Sequence, residues 1–279
     1  MALSRQRRTM RRPHMSDYEP RLAAILDREA PLPTGVQSRE IDYAIGGAAF
    51  RGYLARPADV TPRPAVLVVH DWYGVNDHVR MRVEMLARLG YVAFAADIFG
   101  ADVRPSAAEA PGVVAHYYGN QALWRTRVVG AFARLLEEPD LDQARCAAIG
   151  YCFGGATVLQ LARTGADLQA VVSFHGNLHT GATGEAERIQ AKLLLLHGAI
   201  DPHVPDQEVL AFANELRAAP SVDWQLVAYS GAMHAFAVPS ANSPEHGAQF
   251  NRLAEQRSWQ AMKSFLVETL QVNPSRACP

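Results

Sequence analysis

A glycine-rich segment near the middle of the chain constrains the fold more than any other feature: Gly150-Tyr151-Cys152-Phe153-Gly154-Gly155. The apolar run before it predicts a strand, and the helical spacing of Ala156–Arg163 predicts a helix directly after it. Gly-x-Cys-x-Gly is the pattern of a nucleophile elbow, with cysteine where serine is more usual. Because such a turn is strained and crowded, the residues two positions before and after the nucleophile must lack side chains. Cys152 is therefore predicted to lie at the start of a helix, where free N–H groups stabilise negative charge.

Strand and helix patterns alternate through most of the chain. Two alternating segments joined by Gly46-Gly47 predict an N-terminal β-hairpin. Ala65–His70 is an unbroken apolar run, which is typical of a strand buried on both faces of a parallel sheet. From that run to Leu270, strands and helices follow one another. We therefore predict an α/β fold with a mostly parallel central sheet in a three-layer α/β/α sandwich.

The expected domain organisation is simple. Residues 34–272 are expected to form a single domain, with a basic, disordered tail and connector over residues 1–33 and a short tail over residues 273–279. Residues 99–118 contain prolines and glycines, so we expect an irregular loop there. The basic N-terminus has no apolar segment after it and does not predict a secretory signal; Met15 is an alternative start.

Charge and cysteine content argue against several classes of protein. The formal charge of -1 over 279 residues gives no reason to expect a nucleic-acid partner. No apolar run reaches membrane-spanning length, so no membrane partner is expected. The three cysteines make no disulfide framework, which favours a reducing compartment and a cytoplasmic location.

Reactive side chains follow four of the predicted strands. Asp71 comes after the first buried strand, Cys152 after the elbow strand, and Asp201 and His234 after two later strands. The carboxyl ends of parallel strands meet at one edge of a sheet, so these side chains are expected to lie together. Their order along the chain, nucleophile then acid then histidine, is that of the α/β-hydrolases.

The residue types assign a role to each candidate. His234 would take the proton of the Cys152 thiol and later activate water, while Asp201 would hold the imidazole in the required tautomer. The backbone N–H groups of Trp72 and Phe153 would stabilise the oxyanion.

Each candidate also has a structural explanation. Asp201 stands before a proline and could start a turn or cap the helix near Asp206. His234 is one of ten histidines and could be an ordinary loop residue. His70, His175 and His197 lie at strand ends but lack a ligand spacing such as H-E-x-x-H, so neither a metal nor a cofactor is expected.

The chain resembles the dienelactone hydrolase family from about residue 40 to residue 270. The matching segments are residues 70–76 (HDWYGVN), 90–93 (GYVA), 150–155 (GYCFGG), 197–202 (HGAIDP) and 231–236 (GAMHAF). The resemblance implies an α/β-hydrolase fold with little or no lid, in a monomer or homodimer that needs no cofactor. It also implies hydrolysis of a small ester or lactone through an acyl-thioester, with Cys152, Asp201 and His234 as the triad.

Two departures from the family affect the expected substrate pocket, to which we assign Asp71, Tyr73, His175 and Val238. Studied members carry glutamate where this chain has Asp71, and that acid contacts the resting thiol. They also carry an arginine at the position of Val238, where it holds the substrate's carboxylate. Arg104 and Arg125 lie in the general region of a second such arginine. We therefore expect a preference for neutral, moderately hydrophobic substrates.

Two other functions stay open at this point. The chain could be a non-catalytic binding protein with the α/β-hydrolase fold, although a missing nucleophile or histidine would favour that more. It could also be a redox-responsive thiol protein that uses Cys152, with Cys146 as a possible partner.

Overall fold

A computed structural model describes residues 18–179, 182 and 184–270 of the chain. The expectations for the basic N-terminus, Met15 and the C-terminal tail with Cys278 lie outside these residues. An eight-stranded sheet of order β1-β2-β4-β3-β5-β6-β7-β8 forms the centre of the fold. Its strands are β1 (Val36–Ile45), β2 (Ala48–Pro57), β3 (Arg63–Val69), β4 (Val92–Ala96), β5 (Leu141–Tyr151), β6 (Ala170–Phe174), β7 (Lys192–Gly198) and β8 (Trp224–Tyr229).

The sheet is parallel from β4 to β8 and antiparallel at its N-terminal edge. The β1–β2 hairpin pairs antiparallel, as predicted, and β2 joins β4 antiparallel. All later pairs are parallel. Strands β4 and β6 are buried along their whole length, because helices cover both faces of the sheet. The predicted three-layer α/β/α architecture is confirmed.

Seven helices complete the layers in the described part of the chain. They are α1 (Pro20–Leu26), α2 (Asp77–Arg88), α3 (Ala110–Tyr118), α4 (Gln121–Leu136), α5 (Phe153–Arg163), α6 (Asp206–Arg217) and α7 (Arg252–Leu270). Helices α1, α2 and α7 bury one apolar core against the sheet, and α4, α5 and α6 bury a second core on the opposite face. None of these helices is long and apolar enough to cross a membrane. A two-stranded ribbon, β9 (Asn242–Ser243) with β10 (Ala248–Gln249), lies beside the loop after β8.

Two expectations about local structure need correction. The segment 99–118 is not a loop throughout, because α3 occupies its second half. Pro111 stands at the start of that helix, where its missing N–H breaks no helical hydrogen bond. The folded body also begins before residue 34: Leu22 and Ile25 of α1 are buried against α2. Arg28 extends this contact by pairing with Glu255 of α7 at 2.5 Å.

Candidate active site

The turn between β5 and α5 has the crowded backbone that the glycine pattern predicts. Cys152 has φ 54° and ψ -116°, a conformation that residues with side chains rarely adopt. A methyl group on Gly150 would overlap the carbonyl of Gly154, and one on Gly154 would overlap the carbonyl of Val69. A methyl group on Gly155 would come within 2.6 Å of the Ser173 hydroxyl. The glycines thus let α5 start directly against the ends of β3 and β5, with Cys152 at the turn.

Three candidate residues from separate strand ends meet at this turn. The imidazole Nε2 of His234 lies 3.1 Å from the Cys152 sulfur. Its Nδ1 lies 2.8 Å from Oδ2 of Asp201. The other carboxylate oxygen of Asp201 accepts the backbone N–H of His203 at 2.8 Å, which fixes the rotation of the acid. Both His234 and Asp201 are buried, whereas Cys152 is half-buried, so the sulfur alone of the three groups reaches toward solvent.

Opposite charges in this chain of contacts set the protonation of the two buried groups. Burial by itself lowers the pKa of His234, but the negative charge of Cys152 and the hydrogen bond to Asp201 outweigh it and raise that pKa to about 10. Burial likewise raises the pKa of Asp201, and the hydrogen bond and charge of His234 bring it below its usual value. The arrangement favours a charged imidazole on His234 beside an ionised Asp201.

Two backbone N–H groups beside Cys152 are available to a ligand. Phe153 is the first residue of α5, so its N–H has no acceptor within the helix. The N–H of Trp72 has no hydrogen-bond acceptor among the residues that the structure describes. Close packing of Gly154 on the carbonyls of Val69 and His70 brings the two segments together. Free backbone N–H groups are the donors that an oxyanion-binding site requires, and the assignment of these two to such a site stays a prediction.

Asp71 lies near this region, but its hydrogen bonds stabilise the turn between β3 and α2. One oxygen of its carboxylate accepts the backbone N–H of Tyr73 at 2.9 Å and the amide of Asn76 at 3.3 Å. The other oxygen faces Nδ1 of His78 at 3.9 Å. The sulfur of Cys152 is hydrogen-bonded to His234 instead. The shorter acid thus has a role in the β3–α2 turn, not a contact with the thiol.

The other residues assigned to the substrate pocket differ in their exposure to solvent. Tyr73 is half-buried and packs edge-on against Trp72 at 5.4 Å. Val238 is 6% exposed and His175 is 1% exposed, which is as buried as His234 and Asp201. The assignment of these residues to the substrate pocket stays a prediction.

Both arginines considered as carboxylate partners are already engaged. Arg125 makes a two-pronged ion pair with Glu185, at 2.8 and 2.6 Å, and its Nε donates to Gln160. Arg104 lies 3.4 Å from the fully buried Asp97 and donates to the carbonyls of Gly100 and Val103. A substrate carboxylate would have to displace one of these partners.

A cavity that the sequence did not reveal lies between α3, α4 and α5, and none of Cys152, Asp201 and His234 lines it. It has a volume of about 280 Å³ and is lined by Tyr118, Gln121, Trp124, Gln160 and His179. The ring of Tyr118 packs against Phe153 at 6.0 Å. Burial, followed by the negative charge of Cys152, raises the pKa of Tyr118. Tyr118 was not predicted as a site residue because residues 99–118 were expected to form a loop. The two adjacent tyrosines before Gly119-Asn120 were the sequence signal that could have indicated it.

The second cysteine of the described chain cannot pair with the first. Cys146 and Cys152 are six positions apart along an extended strand, so about 20 Å separates them. A disulfide needs Cα atoms within roughly 7 Å. Burial raises the pKa of the Cys146 thiol to about 12, which keeps it protonated. Direct redox pairing of these two residues is excluded in this fold.

His70, at the end of β3, makes its own contacts with neighbouring backbone. Nδ1 of His70 contacts the carbonyl of Asp71 at 2.6 Å, and its Nε2 accepts the N–H of Ile98 at 3.1 Å. Across residues 18–179, 182 and 184–270, the His, Cys, Asp and Glu side chains form no group of three or more that could hold a metal ion.

Comparison with known proteins agrees with the resemblance found in the sequence. A dienelactone hydrolase-like promiscuous phosphotriesterase from metagenomic libraries superposes with a TM-score of 0.80 at 41% identity, over 84% of this chain and 98% of its own. A protein of Synechocystis sp. named as a carboxymethylenebutenolidase is 28% identical over 76% of this chain and 89% of its own. A protein of Bradyrhizobium sp. named as a 2-oxo-3-(5-oxofuran-2-ylidene)propanoate lactonase is 28% identical over 70% of this chain and 82% of its own. The sequence model of the dienelactone hydrolase family matches residues 50–270, and the chain belongs to that family.

Proposed function

We propose that this protein hydrolyses small carboxylic esters or lactones through Cys152, His234 and Asp201. The observation that carries the proposal is the continuous contact from the Cys152 sulfur through His234 to Asp201, at 3.1 and 2.8 Å, on a strained elbow. The names of the Synechocystis and Bradyrhizobium relatives support the same class of substrate. A purely structural origin would not bring a nucleophile, a base and an acid from three strand ends into hydrogen-bonding order.

The reaction would begin with attack of the Cys152 sulfur on the substrate carbonyl. The electron pair of the C=O bond moves to oxygen, and the N–H groups of Trp72 and Phe153 stabilise that oxyanion. His234 then gives its Nε2 proton to the departing alkoxide, and an acyl-thioester remains on the sulfur. In the second half, neutral His234 takes a proton from water, the hydroxide attacks the thioester, and the carboxylic acid leaves. Asp201 stays ionised throughout and stabilises the charged imidazole.

We propose that the cavity next to Tyr118 accommodates part of the substrate. Its walls are the aromatic rings of Tyr118, Trp124 and His179, and its polar groups are the amides of Gln121 and Gln160. Arg125, which donates to Gln160 of this lining, is paired with Glu185. Such a site suits an uncharged acyl or alcohol group with a flat or apolar body and one neutral hydrogen-bonding function.

A panel of neutral substrates tests the proposed function. The wild type should hydrolyse aryl esters and lactones, and Cys152→Ala should lose that activity while keeping the wild-type melting temperature. A neutral aryl phosphotriester belongs in the panel because the metagenomic relative is named for that activity. If Cys152→Ala hydrolysed these substrates as fast as the wild type, the mechanism would be rejected. A folded wild type inactive on the whole panel would favour the binding-protein alternative.

Substrate charge provides a sharper test of the pocket. We expect a carboxylated lactone to have a lower kcat/KM than its methyl ester, because a desolvated carboxylate without a cationic partner costs several kcal/mol. The measurement is kcat/KM for the matched pair in the wild type and in Glu185→Gln, which releases Arg125 from its carboxylate. The variant should reduce the difference in kcat/KM between the carboxylated lactone and its methyl ester. A clear wild-type preference for the carboxylate would refute this account of the pocket.

A further inference from the structure

We infer that His175 is a positioning residue that holds the nucleophile elbow through the backbone of Cys152, an inference that rests on the proposed function. His175 directly follows β6 and was expected to line the substrate pocket. It lies against the backbone of Cys152, with 1% of its surface exposed. Because it contacts the elbow and the ring of His234, its effect on the reaction passes through these two residues.

The contact with the elbow is a hydrogen bond to the main chain. Nδ1 of His175 lies 3.2 Å from the backbone nitrogen of Cys152. The same N–H reaches the carbonyl of Phe174 at 3.0 Å, so it is shared between two acceptors. The backbone N–H of His175 donates to Leu196 at 2.8 Å, which ties the residue to β7. His175 therefore connects the strained turn to the rigid centre of the sheet.

This contact defines the tautomer of the His175 ring. Because Nδ1 accepts the N–H of Cys152, the single proton of the neutral ring is on Nε2. Nε2 is buried and has no hydrogen-bond partner among the described residues. Burial, and then the charge of His234, lowers the pKa of His175 well below its usual value. The ring is consequently neutral at neutral pH, and Nδ1 is an acceptor there.

His175 also lies against the base of the proposed triad. Its ring is edge-on to His234, with centroids 5.4 Å apart and planes at 64°. On another side it packs edge-on to Phe236 at 5.0 Å. One buried ring thus borders both ends of the 3.1 Å contact between the Cys152 sulfur and His234. Displacement of a reacting group by about 1 Å can cost on the order of a hundredfold in rate.

His175 itself is held in a backbone conformation that is rare for a residue with a side chain. Its φ is 42°, and that of Cys152 is 54°, so two strained residues face each other across one hydrogen bond. Strain of this kind persists only where surrounding contacts over-determine it. Asparagine tolerates positive φ better than most residues and offers a side-chain acceptor, so it is the conservative replacement.

The experiment compares His175→Asn with His175→Leu. Leucine keeps bulk but has no acceptor, and we expect it to lower kcat about ten- to a hundredfold with little change in KM. It should also move the pH profile of Cys152 alkylation, because the sulfur and His234 no longer meet correctly. Asparagine should restore most of kcat and the wild-type alkylation profile. Cys146→Ala, a buried change about 20 Å along β5 from Cys152, should leave both kcat and the alkylation profile unchanged.

A separate readout does not depend on activity. Nitrogen NMR of the wild type should show His175 as the neutral tautomer with its proton on Nε2. Equal loss of kcat in both variants, with melting temperatures lowered in proportion and an unchanged alkylation profile, would overturn the positioning role. A proton on Nδ1 would overturn it as well. Failure of the proposed function looks different, since wild-type hydrolysis would then survive in Cys152→Ala.

Discussion

Replacing Asp201 by Asn is expected to lower kcat by about 10⁴-fold while the protein stays folded. Asp201 accepts the Nδ1 proton of His234 at 2.8 Å, so its charge fixes the tautomer that presents Nε2 to the sulfur. An amide in the same place can donate to Nδ1 and thereby stabilise the wrong tautomer. The measurement is kcat on an activated ester, with the melting temperature as the check on folding.

Asp206→Asn provides the matched control for this prediction. Asp206 is the next acidic residue in the sequence, five residues further on, and it is the exposed first residue of α6. Its replacement should change kcat by no more than about twofold, as for an ordinary surface residue. NMR titration adds a second check. Cys152 and the hydrogen bond to Asp201 raise the pKa of His234 to about 10, so this pKa should fall in Asp201→Asn, where the carboxylate is lost. If Asp206→Asn were the inactive variant, the assignment of the acid would be wrong.

Replacing Gly150 by Ala is expected to be the most damaging small substitution for stability. The added methyl group would overlap the carbonyl of Gly154 and come within 2.7 Å of the Gly155 nitrogen, and backbone cannot move aside as a flexible side chain can. We expect a loss of about 3 kcal/mol in the free energy of unfolding, or roughly 6–12 °C in melting temperature. Thermal and urea unfolding measure it.

Gly112→Ala is the corresponding control. Gly112 lies within α3, and a methyl group there meets no atom within 4 Å. Alanine lacks the conformational freedom that glycine loses on folding, so this variant should gain about 0.5–1 kcal/mol. Equal behaviour of the two variants would show that the elbow has room for a side chain, and the close approach of α5 to β3 and β5 would be refuted.

Much of the fold followed from patterns within short segments. The glycine spacing around Cys152 reports a local steric requirement, so it located the turn from β5 to α5 without tertiary information. Apolar runs such as Ala170–Phe174 coincide with the observed strand, because burial on both faces demands continuous apolar sequence. Helix α3 was missed because Pro111 suggests a loop by itself and a helix start only when the following residues are helical.

The parts of the site that depend on long-range contacts were not predictable in the same way. The sequence predicted that Asp71 lies near the thiol. Its hydrogen bonds to Tyr73 and Asn76 were not predicted, because they follow from the shape of the β3–α2 turn. Arg125 pairs with Glu185, 60 positions away in the sequence, so this arginine is not free to bind a substrate carboxylate. His175 was placed at the right sheet edge, yet only the structure shows that its ring faces the backbone of Cys152.

Trapping the covalent intermediate tests the central claim most directly. An aryl ester with a bulky, slowly hydrolysed acyl group is mixed with the enzyme, quenched in acid within the first turnover and mapped by mass spectrometry. The account predicts one acyl group on the peptide that contains Cys152, released by neutral hydroxylamine as a thioester is, and none on Cys152→Ala. Turnover of the same ester with the acyl group on another residue, or with no acyl group on Cys152, would contradict it.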